Sequence, residues 1–319
     1  MRQMTKLMAI DKSNLKILKL SDKDFYNHFF KQHVLPSSDY CFSVVFSWLV
    51  EGGDVKYIQL TSDLIALYYT DVLDNQQDAN YMSLIGNPID IDADIYNLLI
   101  DEYHLGTRVV LTEPHMKIAS KFVSGNFRFE LDKDLTDYLY PVSEHATWEA
   151  PDYRRLRREL RTFQRIYENP EVEVEEIELD SYSARSYVAN VHHIWDNTFR
   201  FNNDPDRTEG LVIDRILRDA PELGVRALTI KVSGKPEGLM IFTEIAMSDA
   251  KYADLHHARF SYKHKFISDV SFHEFAKFLG SETFDYINFE RDAGVEGLRN
   301  HKLLLKPKKV IQNFTLTTG

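Results

Sequence analysis

Near its C-terminus the chain reads Asn288-Phe-Glu290-Arg-Asp292-Ala-Gly294, which sets two acids two residues apart where a β-strand, Phe284 to Phe289, is expected to end. Side chains two apart on a strand share a face, so Glu290 and Asp292 could both point from a sheet edge toward a cleft, to hold or deprotonate an incoming ammonium. A structural role is open for Asp292 as well. At the start of a helix expected over Val295 to Lys302 it would satisfy free backbone N–H groups while Gly294 turns the chain. On that helix Arg299 and Lys302 are three apart and neighbour one another on one face. There they could contact a phosphate, a terminal adenosine or a carboxylate, or simply face water. Upstream, His257 and Arg259 alternate onto one face of a strand expected over Ala253 to Phe260, and form a second candidate pair beside the plainer reading of a core or surface histidine.

Metal chemistry is set aside at this stage. His192 and His193 adjoin on an expected helix and His256 and His257 on an expected strand, so regular geometry lets neither pair share a face. No Gly-x-Ser-x-Gly elbow, phosphate-binding Walker loop, Cys-x-x-Cys pair or Gly-x-Gly-x-x-Gly turn occurs. The single cysteine, Cys41, sits in the apolar run CFSVVFSWLV, where burial is expected rather than reactivity.

The elements that must position these residues follow from pattern. With 319 residues, 44% of them hydrophobic, the chain exceeds what one compact domain usually holds, and two domains are expected. No apolar run reaches the roughly 18 residues of a membrane span, and the N-terminus lacks a signal-peptide core, which suggests a cytoplasmic protein. The formal net charge of −11 repels nucleic acid and anionic lipid, so any polyanion site must be local. The segment PDYRRLRRELRTFQRIY offers one. At helical period Leu156, Leu160, Phe163 and Tyr167 make an apolar stripe, and Arg154, Arg157, Arg158, Arg161 and Arg165 make a basic one opposite, either a solvated face or a phosphate-binding face.

The break Tyr167-Glu-Asn-Pro170 divides the chain into residues 1–168 and 169–319. Beyond it the pattern predicts an edge strand over Glu171 to Asp180 and helices over Ser183 to Phe199 and Glu209 to Arg218. A hairpin of VRALTIKV and GLMIFTEIA turns at Ser233 to Pro236. The strand over Ala253 to Phe260, a helix from Asp269 to Leu279, the strand and helix carrying the acids, and a last strand from Val310 to Leu316 follow. The first half reads as a shorter version, with strands at Tyr57 to Leu60, Leu64 to Thr70, Val109 to Thr112 and Phe127 to Leu131, and helices near Asp94 to Tyr103 and Glu113 to Phe122.

The order strand, two helices, three strands, helix, strand, helix, strand is that of a GNAT domain. In addition, YINFERDAGVEGLRNHKLLLKPKKVIQNFTL closely resembles the closing signature of the phosphatidylglycerol lysyltransferase C-terminal domain family, Asn-x-x-x-Asp-x-Gly-x-x-Gly-Leu-Arg-x-x-Lys followed by proline. Asn288, Asp292, Gly294, Gly297, Leu298, Arg299, Lys302 and Pro307 fill its fixed positions, and Glu290 matches the family's usual acid. The segments from Leu135 to Tyr167 and from Leu255 to Ala276 are similar to its Asp-Tyr-hydrophobic-Tyr segment with basic helix and to its His-containing strand with following helix. The resemblance implies an α+β fold of two tandem GNAT-like domains, with the active site in the second. It also implies an aminoacyl- or acyltransferase with Glu290 and Asp292 as catalytic acids and Asn288, Arg299, Lys302, His257 and Arg259 contacting substrate. Aminoacyl-tRNA is the implied co-substrate, with the arginine helix meeting its phosphates and no permanently bound cofactor. Acyl-CoA is the alternative donor, although Ser261 to Asp269 holds no glycine of the kind that cradles a pyrophosphate. In the lysyltransferases this domain follows a many-helix membrane segment. No such segment is read here, which leaves a small molecule or a lipid headgroup as acceptor. A non-catalytic binding protein that keeps the fold is the rival of a different class.

Overall fold

The computed structural model describes residues 12–47, 54–71, 79–179, 205–261 and 263–319. It divides into two compact units, Met1–Thr136 with Ile311–Gly319, and Asp137–Val310. The first unit holds α1 (Lys23–Phe30), α2 (Phe42–Ser47), α3 (Ala93–His104) and α4 (Glu113–Ala119) with strands β1 (Lys16–Ile17), β2 (Val55–Gln59), β3 (Leu64–Asp71), β4 (Ala79–Gly86) and β5 (Arg108–Thr112). Strands β1 to β4 pair antiparallel in sequence order, β4 and β5 pair parallel, and β5 pairs antiparallel with β12 (Lys309–Thr318), the end of the chain. Leu64, Ala66, Met82, Leu84, Ile95, Leu99, Val109, Leu111 and Leu316 form its core.

The second unit repeats this pattern. Strands β7 (Val172–Ile177), β8 (Val225–Val232), β9 (Lys235–Ala246) and β10 (Lys251–Phe260) are antiparallel neighbours, β10 pairs parallel with β11 (Tyr286–Asn288), and β11 pairs antiparallel with the end of β6 (Phe127–Pro141). Among the described residues each unit therefore carries five successive strands and a sixth supplied from elsewhere in the chain. This arrangement moves the boundary from the expected 168/169. Residues 137–168, including the arginine helix α6 (Arg154–Ile166), belong to the second unit, because Tyr153, Leu156 and Phe163 are buried in it against β8 and β9 and α8 (Ile267–Ser281). The short α5 (Val142–His145) leads into it, and Trp148, Phe242, Phe272 and Phe275 complete the same core.

The expected helix from Ser183 to Phe199 lies outside the described residues. That from Glu209 to Arg218 is part of α7 (Pro205–Leu223), which kinks at Asp219 (φ −107°, ψ 16°), two residues before Pro221, whose ring removes a helical N–H. The strand β7 is an edge of the second unit's sheet, as the alternation of valines with glutamates suggests, and its outward glutamates guard that edge. The closing helix is α9 (Glu296–Leu304).

Candidate active site

The site is built where β10 and β11 part. Their parallel pairing runs only from Tyr252↔Tyr286 to Asp254↔Asn288; β11 then stops, while β10 continues to Phe260 against β9. The chain leaving β11 is pinned residue by residue. Buried Asn288 donates from Nδ2 to Asp137 Oδ2 (3.1 Å) and accepts the Glu290 N–H at Oδ1 (2.9 Å). That bond holds Glu290 in the left-handed region (φ 53°), which a residue with a Cβ adopts only when its surroundings compel it. Lys302, from α9, donates from Nζ to the carbonyls of Phe289, Glu290 (3.1 Å) and Arg291 (2.7 Å), and lies 4.7 Å from the Phe289 ring centroid. Burial lowers its pKa to about 8, against the opposing pull of Glu290, Asp137 and Asp292.

Asp292 is wholly buried and accepts from Tyr138 O–H (2.6 Å), Gly294 N–H (3.0 Å) and, bidentately, Arg299 Nε (2.9 Å) and Nη2 (2.7 Å). Burial pushes its pKa up, but the bonds from Arg299, Tyr138 and Gly294 outweigh it and hold the carboxyl below its usual value. Tyr138 is in turn pushed up to about 12, by burial first and by Asp292 second. Asp292, Arg299 and Lys302 thus fasten the loop, and Gly294 (φ 77°) supplies the turn into α9.

Glu290 meets a histidine that the strand pattern does not single out. Along β10, Asp254 pairs with Thr243, Leu255 with Phe242 and His257 with Ile241, so one residue, His256, is extra. Phe242 and Ile241 face opposite ways, and hence so do their partners Leu255 and His257. The bulge therefore puts His256 and His257 on the same side of the sheet as Asp254. This overturns the premise that adjacent histidines of this strand cannot share a face. His256 Nδ1 lies 2.9 Å from Glu290 Oε1 and 3.8 Å from Asp254 Oδ2, and Nε2 lies 2.7 Å from Thr243 Oγ1. Because an ionised carboxylate only accepts, Nδ1–H donates to Glu290, and in the neutral ring Nε2 then accepts from the threonine hydroxyl. Such a carboxylate–imidazole pair can take and pass on a proton, and Glu290, with 20% of its side chain exposed, is its outward member.

The expected pair His257 and Arg259 does share this face. His257 is fully buried and its pKa falls to about 4, first through burial, as in a core histidine, while Arg259 is half-buried. On α6, Arg157 donates to the carbonyls of Trp148, Glu149 (3.1 Å) and Ala150 (2.7 Å), tying the helix to the preceding loop. Arg154, Arg158, Arg161 and Arg165 are exposed at helical spacing and form one basic stripe.

The start of α8, the helix after β10, carries an unexpected feature. Phe266 precedes it in the left-handed region (φ 68°), and Asp269 in its first turn is buried beside the buried Glu159 of α6, and raised to about 7 by burial first and by the nearby Glu159 charge second. Arg155 Nε pairs with Glu159 at 2.8 Å, and His301 Nδ1 lies 3.9 Å from Asp269.

Two units, each with a parallel pair whose strands part beside a helix, define a tandem GNAT-like acyltransferase fold. Over residues 39–317 the sequence matches the family described as phosphatidylglycerol lysyltransferase, C-terminal, and the chain belongs to that family. Among solved structures it is similar to a conserved protein of unknown function from Bacteroides thetaiotaomicron, with TM-score 0.75 and 19% identity, covering 96% of this chain and 99% of that one. It is also similar to L-PGS from Bacillus licheniformis, with TM-score 0.61 and 13% identity over 93% and 92% of the two chains. A third is the C-terminal domain of a putative lysylphosphatidylglycerol synthetase from Agrobacterium fabrum, with TM-score 0.59 and 12% identity over 93% and 90%. Comparison with curated protein sequences gives no match. Among the described residues no helix is long and apolar enough to cross a membrane.

Proposed function

We propose that the chain transfers an aminoacyl group from aminoacyl-tRNA to an amine or hydroxyl acceptor where β10 and β11 part, with Glu290 as general base. Family and fold are those of tandem GNAT-like acyltransferases, and the ester of an aminoacyl-tRNA donor is already activated. The protein then has to orient, deprotonate and stabilise charge. Glu290, steadied by His256, takes a proton from the acceptor as its nitrogen or oxygen attacks the ester carbonyl; the ester C–O bond breaks, and the proton passes to the leaving ribose oxygen. Asn288, Asp292, Arg299 and Lys302 act by fixing the Glu290 backbone, while His257 and Arg259 line the same face of β10.

The observation that carries the choice of donor is the start of α8. A CoA pyrophosphate needs open backbone N–H groups at that helix start. Here two buried carboxylates, Asp269 and Glu159, adjoin it, and the segment leading into it has no glycine. The exposed stripe of Arg154, Arg158, Arg161 and Arg165 on α6 suits a phosphodiester backbone instead, and gathers positive charge on one helix face of a protein that is acidic as a whole. The test is transfer of a labelled amino acid from total charged tRNA to a panel of amines and alcohols, with acetyl-CoA as rival donor. Turnover from charged tRNA that is lost in Glu290→Gln supports the proposal. Turnover from acetyl-CoA alone makes this an acyl-CoA-dependent N-acyltransferase, and turnover from neither favours a binding protein.

A further inference from the structure

Asp254 and His256 stand on one strand and Glu290 on the loop that leaves the next, yet one ligand atom from each falls within 4.8 Å of the others. The side chain of Asp254 is 0% exposed and that of His256 5%. The geometry points to a binding site here for a divalent transition-metal ion of the zinc or manganese type, with His256 Nδ1 and one carboxylate oxygen from each acid as ligands.

Bonds of about 2.1 Å set neighbouring ligand atoms roughly 3.0–3.5 Å apart in octahedral or tetrahedral geometry. The observed 2.9 Å from His256 Nδ1 to Glu290 and 3.8 Å to Asp254 bracket that spacing, so small side-chain shifts suffice. One imidazole with two carboxylates suits zinc, manganese, iron or cobalt, whereas an imidazole disfavours calcium and magnesium, which take all-oxygen sets. The surroundings accommodate either state of the ring. When Nδ1 gives its lone pair to a metal, its proton moves to Nε2, and Thr243 Oγ1, 2.7 Å away, changes from donor to acceptor, a partner of the kind that orients metal-bound histidines. The ligands are also held before any ion arrives, since Asn288 and Lys302 fix the backbone of Glu290 and the bulge fixes His256. Arg299 directs its charge at Asp292, and Lys302 donates to backbone carbonyls while also feeling the Glu290 charge, so the two carboxylates beside His256 are the anionic ligands an ion would meet. An ion seated there takes Glu290 as a ligand and withdraws it as a base. That inhibition rests on the proposed transfer reading, whereas binding of the ion does not.

The experiment is calorimetric titration of Zn2+ and Mn2+ into the metal-stripped full chain, alongside Asp254→Asn and His256→Gln, with melting curves to verify that both variants fold. The expected result is one saturable equivalent of Zn2+ that millimolar Mg2+ does not displace, weakened about tenfold or more in each variant. Cobalt supplies a second reading on the unaltered chain, because its visible absorption reports bound nitrogen and oxygen ligands and should vanish when Zn2+ is added in equal amount. Absence of saturable binding, or equal affinity in the folded variants, would overturn the site. Neither readout requires turnover, so it fails or stands apart from the transfer reaction.

Discussion

Asp292→Asn tests whether the loop after β11 is held by charge. The substitution keeps the shape of the side chain but removes its charge and one of its two acceptor oxygens, so an amide N–H₂ is turned either toward Tyr138 and Arg299 Nε or toward Gly294 and Arg299 Nη2. Breaking a buried ion pair costs roughly 3–5 kcal/mol. Arg299 is 30% exposed and water can partly replace its partner, so the loss should fall to about 2–3 kcal/mol. For a unit of this size that is a fall in melting temperature of roughly 5–10 °C. Asp292→Ala should cost about 1 kcal/mol more, because Tyr138 O–H and Gly294 N–H then lose their acceptor. Thermal and urea unfolding followed by circular dichroism measure both, with Glu296→Gln as an exposed acid on the same helix expected to stay within about 0.5 kcal/mol. The native carboxyl is held below its usual pKa, so its contribution is present above the unfolded-state value and is lost as pH falls through the folded one. A loss under about 0.5 kcal/mol at neutral pH for Asp292→Asn would refute the reasoning.

Three further outcomes follow from buried groups. Asp269, raised from 3.8 to about 7, keeps a proton when folded that it loses when unfolded, so it erodes stability as pH rises through that window; Asp269→Asn should gain on the unaltered protein between pH 5 and pH 8, read by paired melts. His115, His145 and His257, lowered by burial to about 4, 3 and 4, must charge on unfolding, so stability should fall below about pH 6.5 by about 1.4 kcal/mol per pH unit for each; His257→Phe should flatten that limb in acid titrations followed by fluorescence. Arg157→Ala should cost about 1–2 kcal/mol in urea melts, because three backbone carbonyls lose their donor, whereas Arg158→Ala, at an exposed position, should leave stability nearly unchanged.

The second unit was legible because its signals are local. The hairpin of β8 and β9 carries its own turn, and the helix expected from Asp269 to Leu279 lies within Ile267–Ser281, its aromatic face filling the core. The first unit hides four elements, β1, α1, α2 and β4. Strand β4, Ala79–Gly86, has a continuous buried run from Met82 to Leu84 and Ile85 rather than an alternation, as a strand beside a parallel partner does, while β1, α1 and α2 span only two, eight and six residues, too short to establish a period. The unit boundary was not readable, because each sheet takes its last strand from a distant part of the chain. At the site, Glu290, Asp292, Arg299 and Lys302 could be found by type and spacing and Asn288 through the family resemblance, and they are brought together. His256 could not be, since alternation separates it from His257 and Arg259, and only the extra residue in β10, which no residue type marks, brings the three to one side. Nor does sequence tell that Arg299 turns inward to an acid seven residues earlier, whereas Arg158 faces water.

The most direct test of the proposed donor is binding of total charged tRNA and of acetyl-CoA at two salt concentrations, comparing the unaltered chain with Arg158→Ala/Arg161→Ala/Arg165→Ala. The account predicts saturable tRNA binding that weakens with salt, and a log–log salt slope shallower by roughly 2–3 in the triple variant. Tight acetyl-CoA binding indifferent to those arginines, with no saturable tRNA binding, would contradict it.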